Sequence, residues 1–105
     1  MAMNKATFEG TLRRIPIIRE LTSGSQRCDF TVRVPRDRGD NFDYIDCCAY
    51  NQIADSLQHA DLTQWVRIRG TIRTWRTEKS QKKVSVNVEK WEQIPPVKQL
   101  QEQQA

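Results

Sequence analysis

A single histidine, His59, is all the imidazole this 105-residue chain offers, and no serine or cysteine motif sets a base beside a nucleophile. Its four glycines stand apart from one another, so there is no glycine-rich loop to cradle a phosphate. With no constellation of catalytic groups, an enzyme is not expected. The three cysteines, two of them adjacent as Cys47-Cys48, lack metal-ligand spacing, and His59 alone cannot complete a zinc set. Neither a metal nor any other cofactor is expected. The thiols are read as reduced, two of them buried and Cys48 turned towards solvent. Long apolar runs are also missing. No stretch approaches the roughly 18 residues of a membrane span, and the opening MAMNKATFEG has no apolar leader, which points to the cytoplasm.

What is present suits one small domain. A hydrophobic content of 37% supports one core. That domain is read as residues 1–94, followed by a Pro- and Gln-rich tail, PPVKQLQEQQA, expected to be disordered over 95–105. The net charge of +4 is mild, but it is segregated along the chain. Between Trp65 and Lys83 lie Arg67, Arg69, Arg73, Arg76, Lys79, Lys82 and Lys83 against Glu78 alone; between Asp40 and Asp61 there are five aspartates and no lysine or arginine.

Apolar residues recur at period two, the spacing of side chains on one face of a strand. Ala6, Phe8 and Leu12 share one face of a first strand, with Gly10 as a bulge or point of close approach and Pro16 interrupting it. In RCDFTVRV, Cys28, Phe30, Val32 and Val34 alternate with Arg27, Asp29, Thr31 and Arg33. From Phe42 to Tyr50, Ile45, Cys47 and Ala49 point inward, and Phe42, Tyr44, Asp46, Cys48 and Tyr50 outward. Asn51 is a candidate N-cap for a short helix to about Ala60, whose Ile53, Ala54 and Leu57 would plug the core. Val66, Ile68 and Ile72 then form the core side of a strand with Gly70 as a bulge, and Val84, Val86 and Val88 that of the last strand. Counting the Pro-interrupted first element as one strand, the fold class is all-β: a five-stranded Greek-key barrel of the oligonucleotide-binding (OB) type, with one short helix between strands 3 and 4. An open five-stranded sheet with the helix packed on one end is the alternative.

If the valines and isoleucines of VRIRGTIRTWR fill a barrel, then Arg67, Arg69, Arg73 and Trp75 share its outer face. Guanidinium groups suit phosphates, and an exposed aromatic suits a stacked base, so single-stranded nucleic acid satisfies both. Tyr44 and Tyr50 would extend the stacking platform, and Arg76, Lys79, Lys82 and Lys83 would track the backbone from the hairpin. Two plainer readings stay open: alternating arginines protect a sheet edge from mispairing, and Trp65 or Trp75 could cover a barrel end or a subunit interface.

The intervals among Asn4-Lys5, Gly10, Leu12, Arg14, Pro16, Ser23-Gly24 and Phe30, the segment YIDCCAYNQIAD, and Val66, Ile68, Gly70, Ile72, Arg73 and Thr74 give the chain a family likeness. Over about residues 3–94 it resembles the bacterial single-stranded DNA-binding proteins. The resemblance implies a sequence-tolerant, non-catalytic binder of single-stranded DNA in replication, repair or recombination, associated with the bacterial nucleoid and assembled as a homo-oligomer, dimer or tetramer. It places Tyr44 and Tyr50 at base-stacking positions. Trp75 stands two residues before the family's third stacking position, which Thr77 occupies, and Arg36 and Arg38 lie near the fourth, where phosphate contact would replace stacking. Asp46 falls where the family commonly carries a basic residue, and the acidic, phenylalanine-tipped tail that recruits other enzymes has no counterpart here. A short barrel without that tail is also similar to primosomal replication protein N, whose partners are those of fork restart, and to phage and plasmid versions. RNA binding through the same face remains open, as does an adaptor role in which Asp43, Asp46, Asp55 and Asp61 form an acidic docking patch.

Overall fold

A computed structural model describes residues 2–37 and 40–94. The expected tail, 95–105, therefore lies outside the described residues. Strands β1 (Ala6–Leu12) and β2 (Ile18–Glu20) flank the segment that contains Pro16, and β3 (Gln26–Pro35) and β4 (Phe42–Tyr50) follow. Helix α1 (Asn51–Ser56) runs into a 3₁₀ turn at Leu57–His59, and β5 (Trp65–Arg76) and β6 (Lys82–Ile94) complete the chain. β1 pairs with β5, β5 with β6, β6 in parallel with β4, β4 with β3, and β3 again with β1. These contacts close a five-stranded barrel, and β2 adds to the free edge of β3 as the bent continuation of the first strand. The expected OB-type barrel is the observed fold, with the helix between β4 and β5.

Alternation fills the interior. Leu12, Cys28, Val32, Cys47, Ala49, Val66, Ile68, Val86 and Val88 are buried from five strands, and Ala54 and Leu57 close one end from the helical segment. Burying a Val, Leu or Ile side chain is worth about 1.5–3 kcal/mol. Phe8 and Phe30 pack partly buried against this cluster. Ile72 and Val84 share the inner side of their strands but are 39% and 53% exposed. Their expected place in the core is corrected by length: β5 and β6 extend as a two-stranded hairpin past the point where β1 stops pairing, at Gly70.

Two glycines make the packing possible. A Cβ at Gly10 would run into the Arg33 carbonyl, and one at Gly70 into the Asn87 carbonyl. Gly10 is thus a point of close approach. At Gly70 the register shifts, Arg69 opposing Lys90 and Gly70 opposing Val88, so the extra residue of the bulge is Glu89 on β6, across from the glycine.

The helix is anchored differently from the sequence expectation. Tyr50 occupies the N-cap position without a side-chain cap bond, and Asn51 adopts a left-handed φ of 50°. Asn51 Oδ1 accepts instead from the Gln26 backbone N–H at 3.0 Å, tying the start of β3 to the start of the helix. The Trp91 indole N–H donates to Ser56 Oγ at 2.8 Å, fixing the helix to β6. Asn4 extends the β1–β5 ladder by one side chain: its amide donates to the Ile72 carbonyl at 2.9 Å and accepts from the Ile72 N–H at 3.1 Å.

All three cysteines are free and buried, Cys48 included, so its expected exposure is corrected. The reason is local: Cys48 sits beside the parallel β4–β6 junction, 4.0 Å from the buried Ser85 hydroxyl. Burial raises the Cys28 thiol and pushes Cys47 up to about 12. Native protein at pH 8 should therefore react with a thiol reagent only as fast as it unfolds; a fast phase in folded protein would contradict this packing. Gly70→Ala should cost about 1–3 kcal/mol of stability through overpacking, read as a lower urea midpoint.

Candidate nucleic-acid interface

Opposed residues of an antiparallel pair point to the same side of the sheet. The β3–β4 register therefore sets Arg27 with Tyr50, Asp29 with Cys48, Thr31 with Asp46, Arg33 with Tyr44 and Pro35 with Phe42 on the outer barrel wall. Beside this wall runs a groove of about 870 Å³. Arg13, Arg14 and Ile17 of the β1–β2 loop line it, as do Arg27 and Thr31 of β3, Tyr44 and Asp46 of β4, and Trp75 of the β5–β6 hairpin. Tyr44 and Trp75 are 58% and 48% exposed. Two half-exposed rings in a groove bordered by arginines provide apolar faces for flat ligands and cations for phosphates.

The structure divides the expected site residues. Tyr44 and Trp75 are brought together. Arg73 and Lys83 share the outer side of the hairpin with Trp75, Lys83 directly across from it. Arg76 and Lys82, paired with each other, project to the opposite side, and the Arg76 guanidinium donates to the Ser80 carbonyl at 3.1 Å. Lys79 is exposed in the hairpin turn. Tyr50 is half-buried, its hydroxyl accepting from Arg27 Nη1 at 2.9 Å and its ring centroid 5.4 Å from the Arg27 guanidinium. Arg36 is ion-paired with Asp43 at 2.9 Å. Arg38 lies outside the described residues.

Arg67 and Arg69 sit elsewhere, beside a separate recess of about 170 Å³ with Thr7, Lys90 and Glu92. Arg67 bonds Glu9 through Nε at 2.6 Å and Glu92 through Nη1 at 2.7 Å, and these two carboxylates raise its pKa further. Nearby, Lys5 and Thr71 hold the Glu89 carboxyl below its ordinary range. Much of the charge on this side of the barrel is already paired.

Sequence reasoning did not place Arg13, Arg14 and Arg27 on the groove, or Arg33 beside Tyr44. Arg13 and Arg14 precede a proline in a loop, where strand periodicity has nothing to say. Arg27 is drawn to Asp29, whose hydrogen bond raises its pKa. Arg33, opposite Tyr44, packs 4.4 Å above the Phe42 ring centroid, and its buried Nε has no hydrogen-bond partner. The proposed acidic patch is dispersed: Asp43 is paired with Arg36, Asp46 lies in the groove, Asp55 is on α1, and Asp61 is held low in pKa by the Thr63 hydroxyl and backbone N–H in the loop before β5.

The barrel agrees with a family model that fits this chain, that of the single-strand binding protein family, matched over residues 3–93. The chain belongs to that family. No curated protein matches it. The family is one of non-catalytic single-stranded DNA binders. Among the described residues, no helix is long and apolar enough to cross a membrane.

Trp75→Phe should remove the tryptophan emission most accessible to acrylamide, whereas Trp91→Phe, at a half-buried indole bonded to Ser56, should leave that component in place. Stern–Volmer plots of both variants test the placement.

Proposed function

We propose that this protein binds single-stranded DNA along the groove between the β1–β2 loop, the β3–β4 wall and the β5–β6 hairpin, without catalysis and with broad sequence tolerance. The observation that carries the reading is the meeting of Tyr44 and Trp75, 31 positions apart in the chain, in one groove bordered by Arg13, Arg14 and Arg27. Bases stack on the two rings, and the arginines, with Arg33, Arg73 and Lys83 beside them, take the phosphates. Tyr50 supports Arg27 rather than a base, and Arg67 and Arg69 stabilise the barrel. Arg36, Arg76, Lys79 and Lys82 contribute long-range attraction. The binding unit is residues 1–94, and its setting is replication, repair and recombination, where single strands are exposed.

Self-association belongs to the same reading. β1 meets β3 only at Thr11 and Leu12, so the far edge of Ala6–Glu9 has no strand partner among the described residues, and a second copy would cover it.

Titration with poly-dT, followed by tryptophan quenching, tests the binding. The log-log salt slope should be roughly −0.7 per phosphate neutralised. Tyr44→Ala and Trp75→Ala should each weaken binding by about 1–3 kcal/mol, while Arg67→Ala should lower stability and leave affinity nearly unchanged. A flat salt response, or full affinity in both aromatic variants, would sink the assignment.

A further inference from the structure

We propose that Asp46 gives this groove a preference for guanine over thymine, an inference that rests on the single-strand reading above. Two carboxylates stand on the outer face of the β3–β4 wall, Asp29 and Asp46, and they differ in their partners. Asp29 is held by Arg27 at 2.9 Å and Arg19 at 3.2 Å. Asp46 has no ion pair among the described residues. Its one hydrogen-bond partner among those residues is the Thr31 hydroxyl, directly across the sheet, which donates to Oδ1 at 3.0 Å. That bond fixes the carboxylate while leaving Oδ2, and the second lone pair of Oδ1, open to the groove.

The position decides what such an acceptor meets. Asp46 follows Tyr44 on the same face of β4, two residues and therefore roughly 7 Å along the strand. A base lying over the Tyr44 ring directs an edge at the carboxylate. Phosphate is repelled there and kept to the side of Arg13, Arg14 and Arg27. Among the bases, guanine alone sets two donors side by side, N1–H and the N2 amino group, matching the two carboxylate oxygens. Cytosine and adenine offer one amino group each. Thymine offers a single N3–H between two carbonyl oxygens, both of which oppose the carboxylate.

The test compares three strands of equal length at one salt concentration: oligo-dT, alternating thymine and guanine, and alternating thymine and inosine. Inosine keeps the purine ring for stacking but lacks the N2 amino group. The guanine strand should bind at least about fivefold more tightly than oligo-dT, with the inosine strand close to oligo-dT. Asp46→Asn should bind every strand more tightly, having lost a negative charge, while the guanine-to-thymine ratio falls towards one. Thr31→Val, which frees the carboxylate to rotate, should lower the same ratio without removing the charge. Equal affinity of the wild type for all three strands, or a guanine preference that survives in inosine or in Asp46→Asn, would overturn the inference. Binding to none of the strands would overturn the single-strand reading beneath it.

Discussion

Barrel closure depends on one strand serving two neighbours. β1 pairs with β5 from Ala6 to Gly10 and with β3 at Thr11 and Leu12, so its backbone crosses from one side of the ring to the other within a few residues. At the crossing, the Arg33 carbonyl occupies the space where any other residue at Gly10 would put its Cβ. With a side chain there, β3 could not approach, the sheet would stay open, and Leu12 and Val32 would lose the shared interior that buries them. The parallel contact of β4 with β6, short as it is, completes the ring on the far side. The wall that carries Tyr44 and the hairpin that carries Trp75 take their relative positions from these closures.

The candidate site follows from a barrel in which one strand meets different surroundings along its length. The outer positions of β5 form a single row, but its first half runs between Glu9 of β1 and Glu92 of β6, and its second half leaves the barrel altogether. Arg67 is therefore a stabilising cation, while Trp75, eight residues on, is half-exposed beside Tyr44. Charge pairing and curvature separate residues that sequence periodicity places together.

Much of the fold was legible because period-two alternation is a direct consequence of strand geometry. The interior positions of β3, β4 and the first half of β5 could be read without coordinates, and Gly10 and Gly70 marked places where backbones meet. Alternation does not say where the barrel stops, so Ile72 and Val84 were read as core when they belong to the projecting hairpin. It reports side, not neighbour, which is why the row of arginines looked like one surface. Parity supplied Tyr44 and Trp75, and the family likeness pointed to Tyr44 again. Arg13 and Arg14 were beyond both, since only the folded path of the β1–β2 loop lays them along the groove. Asn51 looked like a cap because its type suits one; a bond from the Gln26 backbone claimed its oxygen instead.

The two aromatic faces of the groove differ in how firmly they are mounted. Tyr44 stands on a strand paired on β3 along its whole length, whereas Trp75 rides near the end of a two-stranded ribbon whose last outside support is the Asn4 amide at Ile72. A ribbon of two strands bends more readily than a closed barrel. The groove is thus built with one fixed jaw and one sprung one, so a change in its width falls on the hairpin and leaves the barrel wall as it is.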